Sequence, residues 1–385
     1  MTDLATAGAR TAPAKPASTP AGPHFSSGPC AKPPGWNAAS LATDSLGRSH
    51  RSKIGKARLQ YAIDLMRELL ALPATHRICI VPGSDTGAFE MAMWTMLGAR
   101  PVTTLAWESF GEGWVTDAVK QLKLDPTIIR ADYGQLPDLA QVDWNSDVLF
   151  TWNGTTSGVR VPDGEWIAAD RAGLSFADAT SAVFAYDLPW DKIDVATFSW
   201  QKVLGGEGGH GVLILGPRAV ERLESHTPAW PLPKVFRLMS KGALAEGVFK
   251  GETINTPSML AVEDAIFALE WAKSVGGLAG LIARSDANAA ALDAIVAERD
   301  WLGHLAADPA SRSKTSVCLT VAGADEAFIK KMAASLEAEG AAFDIAGYRD
   351  APPGLRIWCG ATVDTADIEA LGPWLDWAYA TARSA

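Results

Sequence analysis

One lysine stands where an apolar strand meets a glycine-rich loop. In the run Thr197-Phe198-Ser199-Trp200-Gln201-Lys202-Val203-Leu204-Gly205-Gly206-Glu207-Gly208-Gly209-His210-Gly211, Val195 to Trp200 reads as a buried strand and Val212 to Leu215 as another. The loop is then a strand-to-strand connection with Lys202 at its start. An amine kept in a dry site favours its neutral form, which attacks carbonyls; this is the chemistry of a lysine that makes a Schiff base with pyridoxal phosphate (PLP). Gly206 to Gly211 formally matches G-x-G-x-x-G, but a strand follows it rather than a helix, so a dinucleotide fingerprint is excluded. A lysine alone proves little, since most lysines are exposed charges.

Two further groups supply what such a cofactor needs. Leu174 to Ala177 reads as a short strand ending in Asp178, and a carboxylate at a strand end faces the crevice of an open α/β sheet. There it can hold a proton on the pyridine nitrogen, so that the ring accepts electrons. Ile78 to Val81 reads as a strand, Pro82-Gly83-Ser84-Asp85-Thr86-Gly87 as a turn and Ala88 to Leu97 as a helix. Free amides at a helix start bind phosphate, which makes Ser84, Asp85 and Thr86 the candidate cradle. The turn contains no lysine, so it is not a Walker A loop.

The elements that must position these groups alternate between strand and helix from 78 to 215, which predicts an α/β fold with a mainly parallel sheet covered by helices. Pro101 to Ala106 and Asp147 to Trp152 are further strands, and Trp114 to Leu122 is a helix entered through Phe110. Lys56 to Leu72 and Ser258 to Lys273 read as amphipathic helices. After about Leu278 an Ala-rich helix to Arg299, strands at 315–321 and 355–359, one near Phe343, and helices at 324–339 and from Thr365 indicate a smaller α+β unit. The expected division is a disordered leader at 1–22, a large domain at 23–275 and a small C-terminal domain at 276–385. The stretch 217–250 is irregular and is read as a candidate wall of the site.

The 385 residues carry a formal charge of -10, which argues against a nucleic-acid surface. Cys30, Cys79, Cys318 and Cys359 lack metal or disulfide spacing and read as reduced thiols of a cytoplasmic protein. No run reaches the roughly 18 apolar residues of a membrane span, so a soluble protein is expected, with no metal. The leader lacks the apolar core of a secretory signal.

Phe25-Ser26-Ser27-Gly28-Pro29, Ser49-His50-Arg51-Ser52, Asn153-Gly154-Thr155, Ala177-Asp178 and Gln201-Lys202 together resemble the phosphoserine aminotransferases, within the class V, fold-type I PLP-dependent enzymes. The resemblance runs from about Phe25 to about Cys359. The first two motifs are fairly specific to that family; the Asp178 and Lys202 pair is shared by the whole class. It implies that Lys202 is the catalytic lysine carrying PLP, that Gln201 adjoins the cofactor, that Thr155 reaches the ring's O3′ and that Phe110 stacks on the ring, with Trp107 and Trp114 as nearby alternatives. It further implies that Asn255 and Thr256 bind the cofactor phosphate of the neighbouring subunit of a homodimer. His50 and Arg51 would bind the distal anion of the substrate and Arg356 its α-carboxylate. The implied reaction converts L-glutamate and 3-phosphohydroxypyruvate to 2-oxoglutarate and O-phospho-L-serine, in serine biosynthesis and with pyridoxine biosynthesis as a further route.

Two positions depart from well-known members: Thr86 stands where an arginine is usual, and Tyr348-Arg349 where a His-Arg pair is usual. Lys234, Arg237 and Lys241 are candidates to replace the missing cations. The rival functions are a class V aminotransferase using glyoxylate or pyruvate, and a PLP-binding protein without turnover on the same fold.

Overall fold

The computed structural model describes residues 14–384. Seven strands build the main sheet: β1 (Arg77–Pro82), β2 (Val102–Ala106), β3 (Thr127–Arg130), β4 (Asp147–Thr151), β5 (Ser175–Asp178), β6 (Val195–Ser199) and β7 (His210–Leu215), in the order β1-β7-β6-β5-β4-β2-β3. All neighbours from β6 to β3 pair in parallel, while β7 runs antiparallel to both β1 and β6. β2, β4, β5, β6 and β7 are buried along their whole length, as a sheet covered on both faces requires. The parallel strands therefore present all their C-terminal ends, including Asp178, along one edge.

Helix α1 (Lys53–Leu69) is opened by Ser52, which accepts from Gly55 N at 3.2 Å, and it buries Leu59, Ile63, Met66 and Leu69 at helical spacing. Helix α2 (Ser84–Met96) packs across β7, β6 and β5 on the other face. It starts four residues before the predicted Ala88, because Gly83, at φ +86°, lets the polar run Ser84-Asp85-Thr86 become its first turn. Helix α3 (Ser109–Thr116) also starts early, at the Glu108 cap, which accepts from Gly111 N at 2.8 Å. Strand β3 is a short edge strand that the sequence reading missed.

Helix α4 (Pro217–Ser225) leads into the 217–250 stretch, and α5 (Met259–Ser274) meets α6 (Gly277–Ala297) at an 85° bend. Beyond it, β8 (Leu302–His304), β9 (Ser316–Val321) and β10 (Gly354–Trp358) form an antiparallel sheet covered by α6, α7 (Glu326–Ala338) and α8 (Thr365–Ser384). Phe343 forms only an isolated bridge with His24 rather than a strand. No single helix among the described residues is long and apolar enough to cross a membrane.

The disordered leader needs correcting over its described part. Ser18 O accepts from Trp374 Nε1 at 2.8 Å, Gly22 N donates to Asp367 Oδ1 at 3.1 Å, and Lys15 pairs with Glu339. The segment then continues as Pro23 to Phe25, whose carbonyls accept from Phe343 N and Trp358 N. Its polarity misled the reading: buried partners on α8 satisfy backbone groups that a solvated tail would leave to water. The first 13 residues of the expected leader lie outside the described residues.

Candidate functional site

Lys202 leaves the sheet just past β6 and is buried, with 9% of its surface exposed. The glycine-rich return to β7 is fixed from behind. Glu207 N donates to Asp264 Oδ2 at 2.8 Å, and Ser258 N, at the cap of α5, donates to His210 Nε2 at 3.1 Å. In front, the Phe25 to Pro29 segment supplies the floor: Lys202 Nζ donates to Ser27 O at 2.5 Å, and Cys30 N donates to Gln201 O at 2.9 Å. Gly28, at φ +152°, lies against this amine, so that a Cβ at this position would displace Lys202 Nζ. Gly205, at φ +63°, likewise leaves no room for a side chain against Ala31 O. Burial lowers the affinity of the Lys202 amine for its proton, opposed chiefly by Cys30, and Arg356 adds to the lowering while Asp178 and Asp85 oppose it. The Cys30 thiol is pushed up to about 12, mainly by burial, so it remains an inert neighbour.

Asp178 ends β5 with both oxygens accepting: Oδ2 from Trp114 Nε1 at 3.0 Å and Oδ1 from Thr180 N at 3.1 Å. Asp85 belongs to the first turn of α2 and is buried with Oδ1 unpartnered; burial, and then the charge of Asp178, push its carboxyl well above the usual carboxylate range. The amides of Gly83 and Ser84 are partly committed, since both point at Gly209 O at 3.1 and 3.3 Å. Asp85 and Thr86 remain as first-turn amides of the kind that a helix leaves unpaired.

The small sheet contributes Arg356 from β10, opposite Cys318 of β9. Its guanidinium lies 5.6 Å from the centre of the Tyr348 ring, its charge acts on Lys202, and its Nε is buried without a partner. A buried, unpaired guanidinium N–H beside an amine is a ready carboxylate fork. Phe110 is 37% exposed, with its ring 5.8 Å from that of Tyr348. Trp107 Nε1 is committed to Val159 O at 3.1 Å and Trp114 to Asp178. Of the three aromatics, Phe110 alone keeps an open face. Thr155 is buried, its hydroxyl donating to Ser181 Oγ at 2.9 Å and its carbonyl accepting from Ser316 Oγ at 2.6 Å.

Four expected site residues stand apart. Arg51 Nε contacts His50 Nε2 at 3.3 Å, and the Arg51 charge is felt by Glu252, which pairs with Lys56. His50 and Arg51 thus share an edge of the molecule with Thr253 to Thr256, where Asn255 is half-buried and Thr256 exposed. Among the described residues, no hydrogen bond joins His50, Arg51, Asn255 or Thr256 to Lys202, Asp178 or Arg356.

The proline-rich part of the stretch 217–250 packs away from this site. Trp230 Nε1 donates to Trp94 O at 2.9 Å and Phe236 packs on Trp94 at 6.1 Å. That places it at the far end of α2, about 14 Å along the helix from Asp85. Arg237 is bonded to Leu232 O, and Lys234 and Lys241 lie in the same exposed stretch, so none of the three replaces the missing cations within this chain. A cleft of about 770 Å³ lined by Ser109, Arg130, Tyr133 and Asp350 adjoins the site without containing Lys202, Asp178 or Arg356; the chemistry follows the latter three, because Lys202 and Asp178 carry perturbed charges and Arg356 Nε is buried without a partner.

Sequence reasoning gave no role to Ser27, Gly28 or Ser316, and weighed Trp114 only as an alternative ring-stacking residue, not as the partner of Asp178. The Phe-Ser-Ser-Gly-Pro motif was the available signal for the first two. The contacts of Trp114 and Ser316 could not be found without the fold, because these side chains reach Asp178 and Thr155 from elements remote in sequence.

No family model matches the chain. It is 57% identical over 366 residues to a phosphoserine aminotransferase of Methanosarcina barkeri, covering 95% of this chain and 99% of that one. Among solved structures, it is similar to a phosphoserine aminotransferase from Cytophaga hutchinsonii, with TM-score 0.80, 21% identity and coverage of 92% and 98%. It is also similar to PLP-bound phosphoserine aminotransferase from Trichomonas vaginalis, with TM-score 0.74, 18% identity and coverage of 92% and 99%. These two likenesses establish the fold, that of the fold-type I aminotransferases.

Proposed function

The chain belongs to the phosphoserine aminotransferase family, and from that membership we propose a PLP-dependent transamination. L-glutamate and 3-phosphohydroxypyruvate give 2-oxoglutarate and O-phospho-L-serine, in serine biosynthesis. One observation carries the reading: a buried amine, Lys202, shares its electrostatic surroundings with a strand-end carboxylate, Asp178, and an unpaired guanidinium, Arg356.

The residues fit the cofactor. Lys202 has a dry site built around its amine, Asp178 offers an acceptor for a pyridinium N–H, the first turn of α2 offers amides for a phosphate, and Phe110 has a free ring face. Gln201 and Thr155 complete its surroundings. When bound, PLP supplies a carbonyl for the lysine and an electron sink for the substrate carbanion. The lowered proton affinity of Lys202 makes its amine both a nucleophile and a base, able to take the proton from the substrate Cα and return it. Arg356 orients the α-carboxylate by a two-point contact, and the Tyr348 ring holds that guanidinium in place.

His50 and Arg51 bind the γ-carboxylate of glutamate or the phosphate of the other substrate, which lets one pocket serve both half-reactions. Their place on the edge carrying Asn255 and Thr256 supports a homodimer in which Asn255 and Thr256 reach the cofactor phosphate of the partner subunit. The four cysteines are buried and free, which supports a reducing, cytoplasmic setting.

The test is the absorbance spectrum of the purified protein before and after separate additions of L-glutamate and O-phospho-L-serine. The expected result is a visible cofactor band that both donors bleach. A band that alanine with glyoxylate turns over, and that O-phospho-L-serine leaves unchanged, would favour the glyoxylate-type reaction instead.

A further inference from the structure

The return after Lys202 is the loosest kind of chain: from Gly205 to Gly209, only Glu207 carries a side chain. Glycine gives up more conformational freedom on folding than any other residue, so such a loop keeps one shape only where something holds it. What holds it is a buried acid on α5. Asp264, 2% exposed, accepts from Glu207 N at 2.8 Å through Oδ2, from Trp36 Nε1 at 2.8 Å through Oδ1, and from Lys32 Nζ at 3.0 Å through each oxygen. Lys32 Nζ closes the ring by pairing with Glu207 Oε1 at 2.6 Å, and it lies 5.0 Å from the centre of the Trp36 ring.

These partners belong to the two segments that meet at the reactive amine. One runs from Ser27, whose carbonyl accepts from Lys202 Nζ, through Cys30 and Ala31 to Lys32 and Trp36; the other runs from Gln201 and Lys202 to Glu207. They touch where Cys30 N donates to Gln201 O at 2.9 Å and where Gly205 lies against Ala31 O. We propose that Asp264 is a positioning residue for Lys202: it clamps the two segments together, so that the amine stays buried against Ser27 O, ready for the cofactor. A carboxylate suits the place because every partner there is an N–H donor; an amide would turn its own NH2 toward one of them. Glu263, the preceding residue of α5, is equally buried and serves as a control. It accepts from Ser45 Oγ at 2.6 Å and from Arg58 Nε and Nη2 at 3.0 and 2.5 Å, and none of these partners lies on either segment.

The inference rests on the PLP reading only in its second test. The first uses the cofactor-free full-length protein and follows acetylation of Lys202 by acetic anhydride, from the mass of the peptide that carries it. Asp264→Asn is expected to speed this labelling about ten- to a hundredfold, the worth of one hydrogen bond to a charged group lost from a local closure. Glu263→Gln loses a buried ion pair of the same kind on the same helix, and its labelling is expected to stay within about twofold of wild type, because local openings are confined to the unit they loosen. Unchanged labelling in Asp264→Asn overturns the proposal, and so does equal acceleration in Glu263→Gln, which would mean a general loosening of α5. The second test is the equilibrium affinity for PLP, read from its absorbance. Asp264→Asn is expected to bind about tenfold more weakly than Glu263→Gln, and equal affinities would contradict the positioning role. Should Asp264→Asn fail to fold, Lys32→Ala keeps the acid and removes its cation; labelling about threefold faster than wild type is then expected, and an unchanged rate overturns the clamp. If neither wild type nor variants bind PLP, the cofactor reading falls and the labelling alone decides the role of Asp264.

Discussion

The two edges of the main sheet treat buried carboxylates in opposite ways. At the N-terminal edge, Asp147 opens β4 and accepts from Arg222 Nη1 at 2.7 Å, Arg222 Nη2 at 3.1 Å and Leu174 N at 2.9 Å. Asp194, just ahead of β6, accepts from Arg171 through Nε and Nη2, both at 3.1 Å, from Arg218 Nη1 at 2.9 Å and from Ser175 N at 2.9 Å. At the C-terminal edge, Asp85 and Asp178 have no arginine fork, and the nearby cations are Lys202 and Arg356, which repel each other. The first edge is saturated and holds the strands in place. The second leaves Asp85 Oδ1 and Arg356 Nε buried without partners, a condition tolerated where a ligand completes the set.

The sharpest test of this contrast is to remove one member from each edge. Lys202→Ala should abolish both half-reactions, losing on the order of 10²–10⁴ in rate from proton transfer alone, with further loss from the missing nucleophile. Its unfolding midpoint in urea should stay level or rise, because a buried amine with a lowered proton affinity weakens the fold. Retained turnover would refute the role of Lys202.

Arg222→Ala should do the reverse. It leaves Asp147 buried without its guanidinium, a change worth about 3–5 kcal/mol of stability. The loss should appear in urea unfolding, while the folded fraction keeps its PLP affinity. An affinity that fell in the folded fraction would mean that the two edges are coupled.

The saturated edge could not be read from the sequence, although the functional edge largely could. Lys202 and Asp178 announce themselves by their place at strand ends, and the alternation of strands and helices predicts the sheet between them. Arg222 and Asp147 lie 75 positions apart, and nothing local in either stretch marks the other as its partner. The same holds for Trp114, which reaches Asp178 across 64 positions. Asp85 was legible as part of a helix start, while the burial of its carboxyl was not, because sequence gives the position of a side chain in a turn without its direction. The irregular 217–250 stretch reads as a site wall; the packing of its proline-rich part on Trp94 depends on tertiary contacts that carry no periodic signature.

The difference between the edges should also appear as pH dependence. Folding raises the proton affinity of Asp85, so between its ordinary range near 3.8 and its higher folded value the native state binds more protons than the unfolded chain. Stability must therefore fall as pH rises through that window. Asp85→Asn removes this contribution. The variant should match wild type in unfolding free energy near pH 4 and gain on it toward neutrality, by about 1.4 kcal/mol for each unit by which the fold raises the group. A constant difference across the range would mean that Asp85 titrates alike in both states.

The smallest expected effect concerns the aromatic cover of Arg356. Tyr348 lies 5.6 Å from the Arg356 guanidinium and 5.5 Å from that of Arg349, and it touches Phe110. What it supplies is a ring face, so Tyr348→Phe should leave kcat/KM for glutamate and O-phospho-L-serine within about twofold. Tyr348→Ala frees a guanidinium whose Nε already lacks a partner and forfeits about 0.5–2 kcal/mol of cation–ring attraction. The loss should fall on KM for both donors in equal proportion, because both present the same α-carboxylate. A loss confined to O-phospho-L-serine would instead place Tyr348 at the distal anion and give it the part that His50 and Arg51 are assigned above.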